Sequence, residues 1–155
     1  MPQPVSTIKT LSMLHLSLLV GQGLFAVIAG YLIYSKTFMP DLITGEFITI
    51  YSAAAIVISA TIILLAFFIY KKKVEKIRNN EEAVAKKLSA YRAASIIRWS
   101  MMEAATLLLI VSFMLTGSYN LLLLTGLTLL IFIYTKPSVK KMMQDLTMSE
   151  EEVNE

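Results

Sequence analysis

From Ala93 to Leu115 the chain runs through an apolar segment whose only charges are Arg98 and Glu103. At about 1.5 Å per residue, a helix of that length spans a hydrocarbon core roughly 30 Å thick. Glu103 then lies about 15 Å from the start of the segment, near the middle of such a core. A carboxylate at that depth is costly to leave in lipid, so it is expected to face protein or water and to matter. Ser100 and Thr106, at i−3 and i+3, share its helix face and are its expected hydrogen-bond partners. Arg98 is five residues away, about 140° around a helix of ~3.6 residues per turn, so the two do not face one another. Beside Trp99, Arg98 reads as an interfacial basic residue whose long stem carries its charge out to the headgroups.

Three further apolar runs, near residues 10–35, 47–70 and 119–135, join the one at 93–115. With 56% hydrophobic and 16% charged residues and a mean hydropathy of +0.67, the chain is too apolar for a soluble domain of 155 residues. The expected fold class is all-α: a polytopic membrane protein whose four transmembrane helices form two hairpins in one membrane domain over residues 1–155. The run after Lys9 is far longer than the ~7–15-residue core of a secretory signal, so it reads as a retained helix. Met1–Lys9 reads as a short polar tail that frays.

Side-chain spacing suggests which faces meet. In the first span His15, Gln22 and Ala29 recur at i+7 along one stripe, and Gly23, Ala26 and Gly30 mark a second face of small residues. In the second span Ser52, Ser59 and Ala66, with Ala55, mark a third. A lone histidine cannot build a ligand set, so His15 reads as a hydrogen-bonded interfacial residue. Gln22 reads as an interhelical hydrogen-bonding group and a partner for Glu103.

The connections carry the charge. Pro40-Asp41 and Gly45 mark a turn in loop 36–46, and Thr116–Asn120 is a tight uncharged turn. Segment 71–92 holds Lys71, Lys72, Lys73, Lys76, Arg78, Lys86, Lys87 and Arg92 against Glu75, Glu81 and Glu82. Asn79 with Glu82 has the form of a capping box, and Val84, Leu88 and Tyr91 at i, i+4, i+7 start a helix that continues into the third span. In the tail 136–155, Ser138–Met148 suggests a surface helix with Val139, Met142, Met143 and Leu146 on its apolar side, before the acidic run Glu150–Glu155. Basic residues flank the spans, so they point to orientation and lipid contact and not to nucleic acid. Loop 71–92 and both termini are expected on the cytoplasmic side of an inner membrane.

The two-hairpin layout with Glu103 in the third span and Gln22 in the first resembles the duplicated four-helix proteolipids of rotary ATPases. That similarity implies an ion-carrying role for Glu103. Here, though, the acid lies on the first helix of its hairpin, and the Gly-x-Gly packing run is reduced to Gly21-x-Gly23. Ile97-Arg98-Trp99…Glu103, together with Leu115-Thr116-Gly117, the short last span and Lys136-Pro137, is similar to a family of small, uncharacterised four-helix bacterial membrane proteins. That resemblance implies four spans and no activity.

Catalytic readings fail by inventory. The chain has no cysteine, no Gly-rich phosphate loop, no paired intramembrane carboxylates and no histidine pair for haem or zinc. No catalytic residue, metal or cofactor is therefore expected. The expected role is a structural or accessory subunit whose partners are the lipid bilayer and a membrane protein or a second copy. The alternative is an oligomeric ion-translocating protein that uses Glu103.

Overall fold

The computed structural model describes residues 4–40 and 45–148, which form five helices and no strand. They are α1 (Pro4–Tyr34), α2 (Glu46–Arg78), α3 (Val84–Thr116), α4 (Tyr119–Tyr134) and α5 (Val139–Leu146). Asp41 of the first turn and the acidic run 149–155 lie outside the described residues. Ile8–Tyr34, α2 and α3 are long and apolar enough to cross a membrane. The 16 residues of α4 reach only about 24 Å, and α4 with α5 forms a pair bent by 76° that counts as a fourth span only if taken together. The chain is thus all-helical with three to four long apolar elements.

Helix boundaries fall outside the apolar runs. α1 begins at Pro4, not near Thr10, and most of the basic segment 71–92 is helix, not loop. Lys, Arg and Glu are good helix formers, and Val74, Leu88 and Tyr91 give both helices a buried stripe beyond the apolar core. The capping box does not form. Asn79 closes α2 by donating its N–H to the Glu75 carbonyl at 3.1 Å, and α3 starts after Ala83 without a side-chain cap. Glu82 pairs instead with Lys86, 2.9 Å away. The tail helix forms as expected, with Ser138 Oγ accepting from the Lys141 N–H and Met142 and Leu146 buried.

α3 is the hub. It packs on α2, α4 and α1, while α1 also packs on α4, and α5 packs on α2 and α1. Among the described residues no comparable interface joins α1 to α2, so these two helices do not make the packed hairpin that the sequence suggested. Two apolar clusters mark the ends of the bundle. One gathers Leu11, Tyr70, Tyr91, Trp99, Phe132 and Met142; the other gathers Ala29, Leu109, Ile110, Phe113 and Leu121. The helices therefore alternate in direction, with the basic segment at the first end.

The α2 face of small residues packs as its spacing predicts. Ala55, Ser59 and Ala66 are buried, and Ser59 Oγ donates to the Ala105 carbonyl of α3 at 3.3 Å. On α1 the most deeply buried face is the His15–Gln22–Ala29 stripe, while on the small-residue face Ala26 is half-buried against the second cluster. A Cβ on Gly23 would meet nothing within 4 Å, and one on Gly30 would meet only Leu122 Cδ2 at 3.6 Å. Gly117 is required twice over. It caps α3 at φ 66°, and a Cβ there would lie 2.9 Å from Pro40 Cγ.

The outer surface is apolar. Leu16, Leu24, Val27, Ile50, Leu64 and Leu130 are each more than half exposed. The accessible surface of 9585 Å² exceeds the roughly 7,800 Å² expected of a compact soluble chain of this mass. Patches of this extent on α1, α2 and α4 suit lipid or another protein, not water.

These contacts can be tested on α1 and α2. Ala29→Leu and Ala55→Leu should each lower stability by about 1–3 kcal/mol through overpacking, whereas Gly23→Leu should not. Thermal unfolding of the purified protein in detergent checks this. Equal loss in all three variants would contradict the packing described.

Candidate functional site

The polar residues fall into two groups. The first lies along the middle of the bundle and centres on Glu103. This carboxylate is half-buried on α3 and makes no hydrogen bond or ion pair among the described residues. Its expected partners are engaged or placed elsewhere. Thr106 is buried and donates to the Met102 carbonyl of its own helix at 2.9 Å, and Ser100 is exposed. Gln22 is only 2% exposed, and neither its amide nitrogen nor its amide oxygen has a partner. A threonine within a helix satisfies itself on the i−4 carbonyl, which removes its proton from any neighbour.

The second group closes the basic end of the bundle. Arg98 does not reach out to headgroups. It is 3% exposed, with its guanidinium carbon 3.8 Å from the centre of the Tyr70 ring and Nη2 donating to the Thr135 carbonyl at 3.2 Å. Thr135 follows the last turn of α4, where carbonyls lack helical donors and a cation is favoured. Nε of Arg98 has no partner.

Tyr70 links this cation to an anion. Its ring lies under Arg98, and its hydroxyl donates to Asp145 Oδ2 at 2.8 Å. Tyr91 donates to the same oxygen at 3.2 Å, and the two phenol oxygens are 3.1 Å apart. Two protons serve three short contacts, so both are best spent on the carboxylate, which binds a proton donor more strongly than a phenol does. Asp145 Oδ1 takes part in none of these bonds. The cluster joins α2, α3 and α5 and neutralises Arg98 across an aromatic ring.

His15 completes the floor. Its Nε2 lies 2.9 Å from the Phe132 carbonyl, which can only accept, so Nε2 carries the proton. The imidazole stacks on Phe132 at 4.6 Å and meets Trp99 edge-on at 5.1 Å. Thr135 Oγ1 also donates to the Phe132 carbonyl, at 2.7 Å. These bonds pin the end of α4 where the chain bends toward α5.

Sequence reasoning thus named Arg98 and His15 but missed Tyr70, Tyr91 and Asp145 as their neighbours. One signal was readable: Asp145 sits between Met142 and Leu146 on the apolar edge of a short amphipathic helix, where a carboxylate needs a donor. Among the described residues, no three histidine, aspartate or glutamate side chains come together in a way that could hold a metal ion. Compared with known proteins, the chain matches no family model, no curated sequence and no solved structure.

The cluster acts as a latch for α5. Asp145→Leu should free both phenols and weaken α5 docking by about 1–3 kcal/mol, whereas Tyr91→Phe, which removes the longer of the two bonds to the carboxylate, should cost about 1 kcal/mol or less. Hydrogen exchange along residues 139–146 reads this directly. Unchanged protection in Asp145→Leu would mean that Met142 and Leu146 hold the helix alone.

Proposed function

We propose that this protein is a four-span integral membrane protein that acts as a structural or accessory subunit of a larger membrane complex. Its partner in this reading is another membrane protein or a second copy of the chain. The carrying observation is Glu103, an acid far down an apolar helix, half-covered by its own bundle and without a partner in it. Such a group is costly to leave facing lipid, and a donor from outside the chain would meet it. The broad apolar faces of α1 and α2, of which only 11% and 17% of the most apolar windows are buried, offer surface for the same contact. The likeness to small four-helix bacterial membrane proteins agrees with this role and adds no chemistry.

Orientation follows from charge. Segment 71–92 and Lys136, Lys140 and Lys141 are basic and lie at one end, which supports a cytoplasmic position for that end and for both termini in an inner membrane. Cysteine introduced at Thr37 or Ser118 should then react with an impermeant thiol reagent from outside, and cysteine at Asn80 should not. Reversed labelling overturns the orientation.

A second reading rests on the same carboxylate. In an ion-translocating oligomer of the proteolipid kind, Glu103 lacks a fixed partner because it must exchange its ion. Isolation from native membranes separates the two readings: a stoichiometric larger partner supports the first, and a ring of this chain alone supports the second. Glu103→Gln should assemble normally under both and abolish transport only under the second. Glu103→Leu should weaken assembly under the first. Wild-type behaviour of both variants would remove Glu103 from either role.

A further inference from the structure

Beside the latch, the last two turns of α2 and the outer face of α5 enclose a cleft of about 310 Å³. That is the low end of the roughly 300–1,000 Å³ range of small-ligand sites. Its walls carry both signs of charge: Lys71 and Arg78, against Glu75 and Asp145, with Gln144 and Tyr70 also in the lining.

Three features make these charges available. Lys71, Glu75 and Arg78 fall at i, i+4 and i+7 on one face of α2, a spacing at which they could neutralise one another. None of them forms an ion pair, and all three are exposed. Asp145 is held by the two phenols through Oδ2 alone, which leaves Oδ1 without a donor. The cleft therefore presents two cations and two carboxylates whose charges are not spent on each other.

Below Lys71 the same helix face turns apolar. Phe68 at i−3 is 62% exposed and Leu64 at i−7 is 71% exposed. A ligand seated in the cleft would thus have charged groups of both signs around its head and an apolar strip leading away from it.

We infer that this cleft binds the headgroup of a zwitterionic aminophospholipid, a phosphodiester joined to a primary ammonium. Lys71 and Arg78 take the phosphate, and Glu75 with Asp145 Oδ1 takes the ammonium, which has three N–H donors to give. The acyl chains run along Phe68 and Leu64. An anionic lipid fits less well because it leaves the two carboxylates opposed to its charge. A quaternary ammonium fits less well because it has no N–H to donate. The inference rests on membrane placement but on neither role proposed for Glu103.

Native mass spectrometry of the full chain in detergent, titrated with phosphatidylethanolamine, phosphatidylcholine and phosphatidylglycerol, tests it. Phosphatidylethanolamine should bind about tenfold more tightly than the other two, the factor expected from charge-assisted hydrogen bonds. Glu75→Gln, which leaves the latch untouched, should reduce its advantage over phosphatidylcholine severalfold. Lys71→Gln with Arg78→Gln should weaken both lipids together. Soluble glycerophosphoethanolamine separates the sources of the headgroup: weak binding assigns the site to lipid, and binding as tight as that of the lipid assigns it to a free phosphodiester and overturns the acyl path. Equal affinity for the ethanolamine and choline lipids, tighter binding of phosphatidylglycerol, or an unchanged preference in Glu75→Gln would overturn the assignment. Release of the chain from membranes without detergent would instead fault the membrane reading.

Discussion

A guanidinium taken out of water must be given acceptors, and at Arg98 that requirement constrains the route of the last part of the chain. Its own helix offers none, because the backbone carbonyls around it are committed to helical bonds. The end of α4 supplies one carbonyl at Thr135, where the helix runs out of donors. The counter-charge comes from Asp145, which reaches the cation only through Tyr70. For both to serve the same cation, the chain must bend between α4 and α5, and the 76° bend does so. Pro137 sits in that bend, where no helical donor is needed.

The position of α3 follows from its composition. Half of its most apolar window is buried, against a tenth to a sixth for α1 and α2. It carries small or polar residues on several sides: Ala94 and Ser95, Ala105 and Thr106, then Ser112 and Thr116. A helix with small residues on several sides can be approached by several neighbours, whereas α1 and α2 each have one narrow stripe. The outer helices thus present large side chains to their surroundings. This is the inverse of a soluble bundle and is stable only where the surroundings are apolar.

Much of this was legible in the sequence. The apolar runs gave the order of the helices and three of the long ones, α4 being too short to count alone, and His15, Gln22 and Ala29, at i+7, share the buried face of α1. The same periodicity gave α5 its buried Met142 and Leu146. The arginine cluster was less legible because its members are far apart in sequence, Tyr70 and Asp145 being 75 residues apart. A local reading gives Arg98 a free path to water, whereas in the fold it is buried against the Tyr70 ring and the Thr135 carbonyl. The pairing of α1 with α2 failed for a related reason. Adjacency in sequence favours a hairpin, but α1 packs mainly on α3 and α4, and His15 of its polar stripe lies between Trp99 and Phe132 of those helices.

The two polar groups differ in what they ask of the environment. At the basic end, donors and acceptors are matched within the chain: His15 to Phe132, Arg98 to Thr135, and two phenols to one carboxylate oxygen. Arg98 Nε and Trp99 Nε1 are the exceptions, both buried there without a partner. In the middle, Gln22 keeps both amide atoms unpaired and Glu103 has no partner, although groups at that depth cost the most to leave unmet. Glu103, half-buried partway along α3 with no hydrogen bond or ion pair among the described residues, is thus the polar group that the fold serves least.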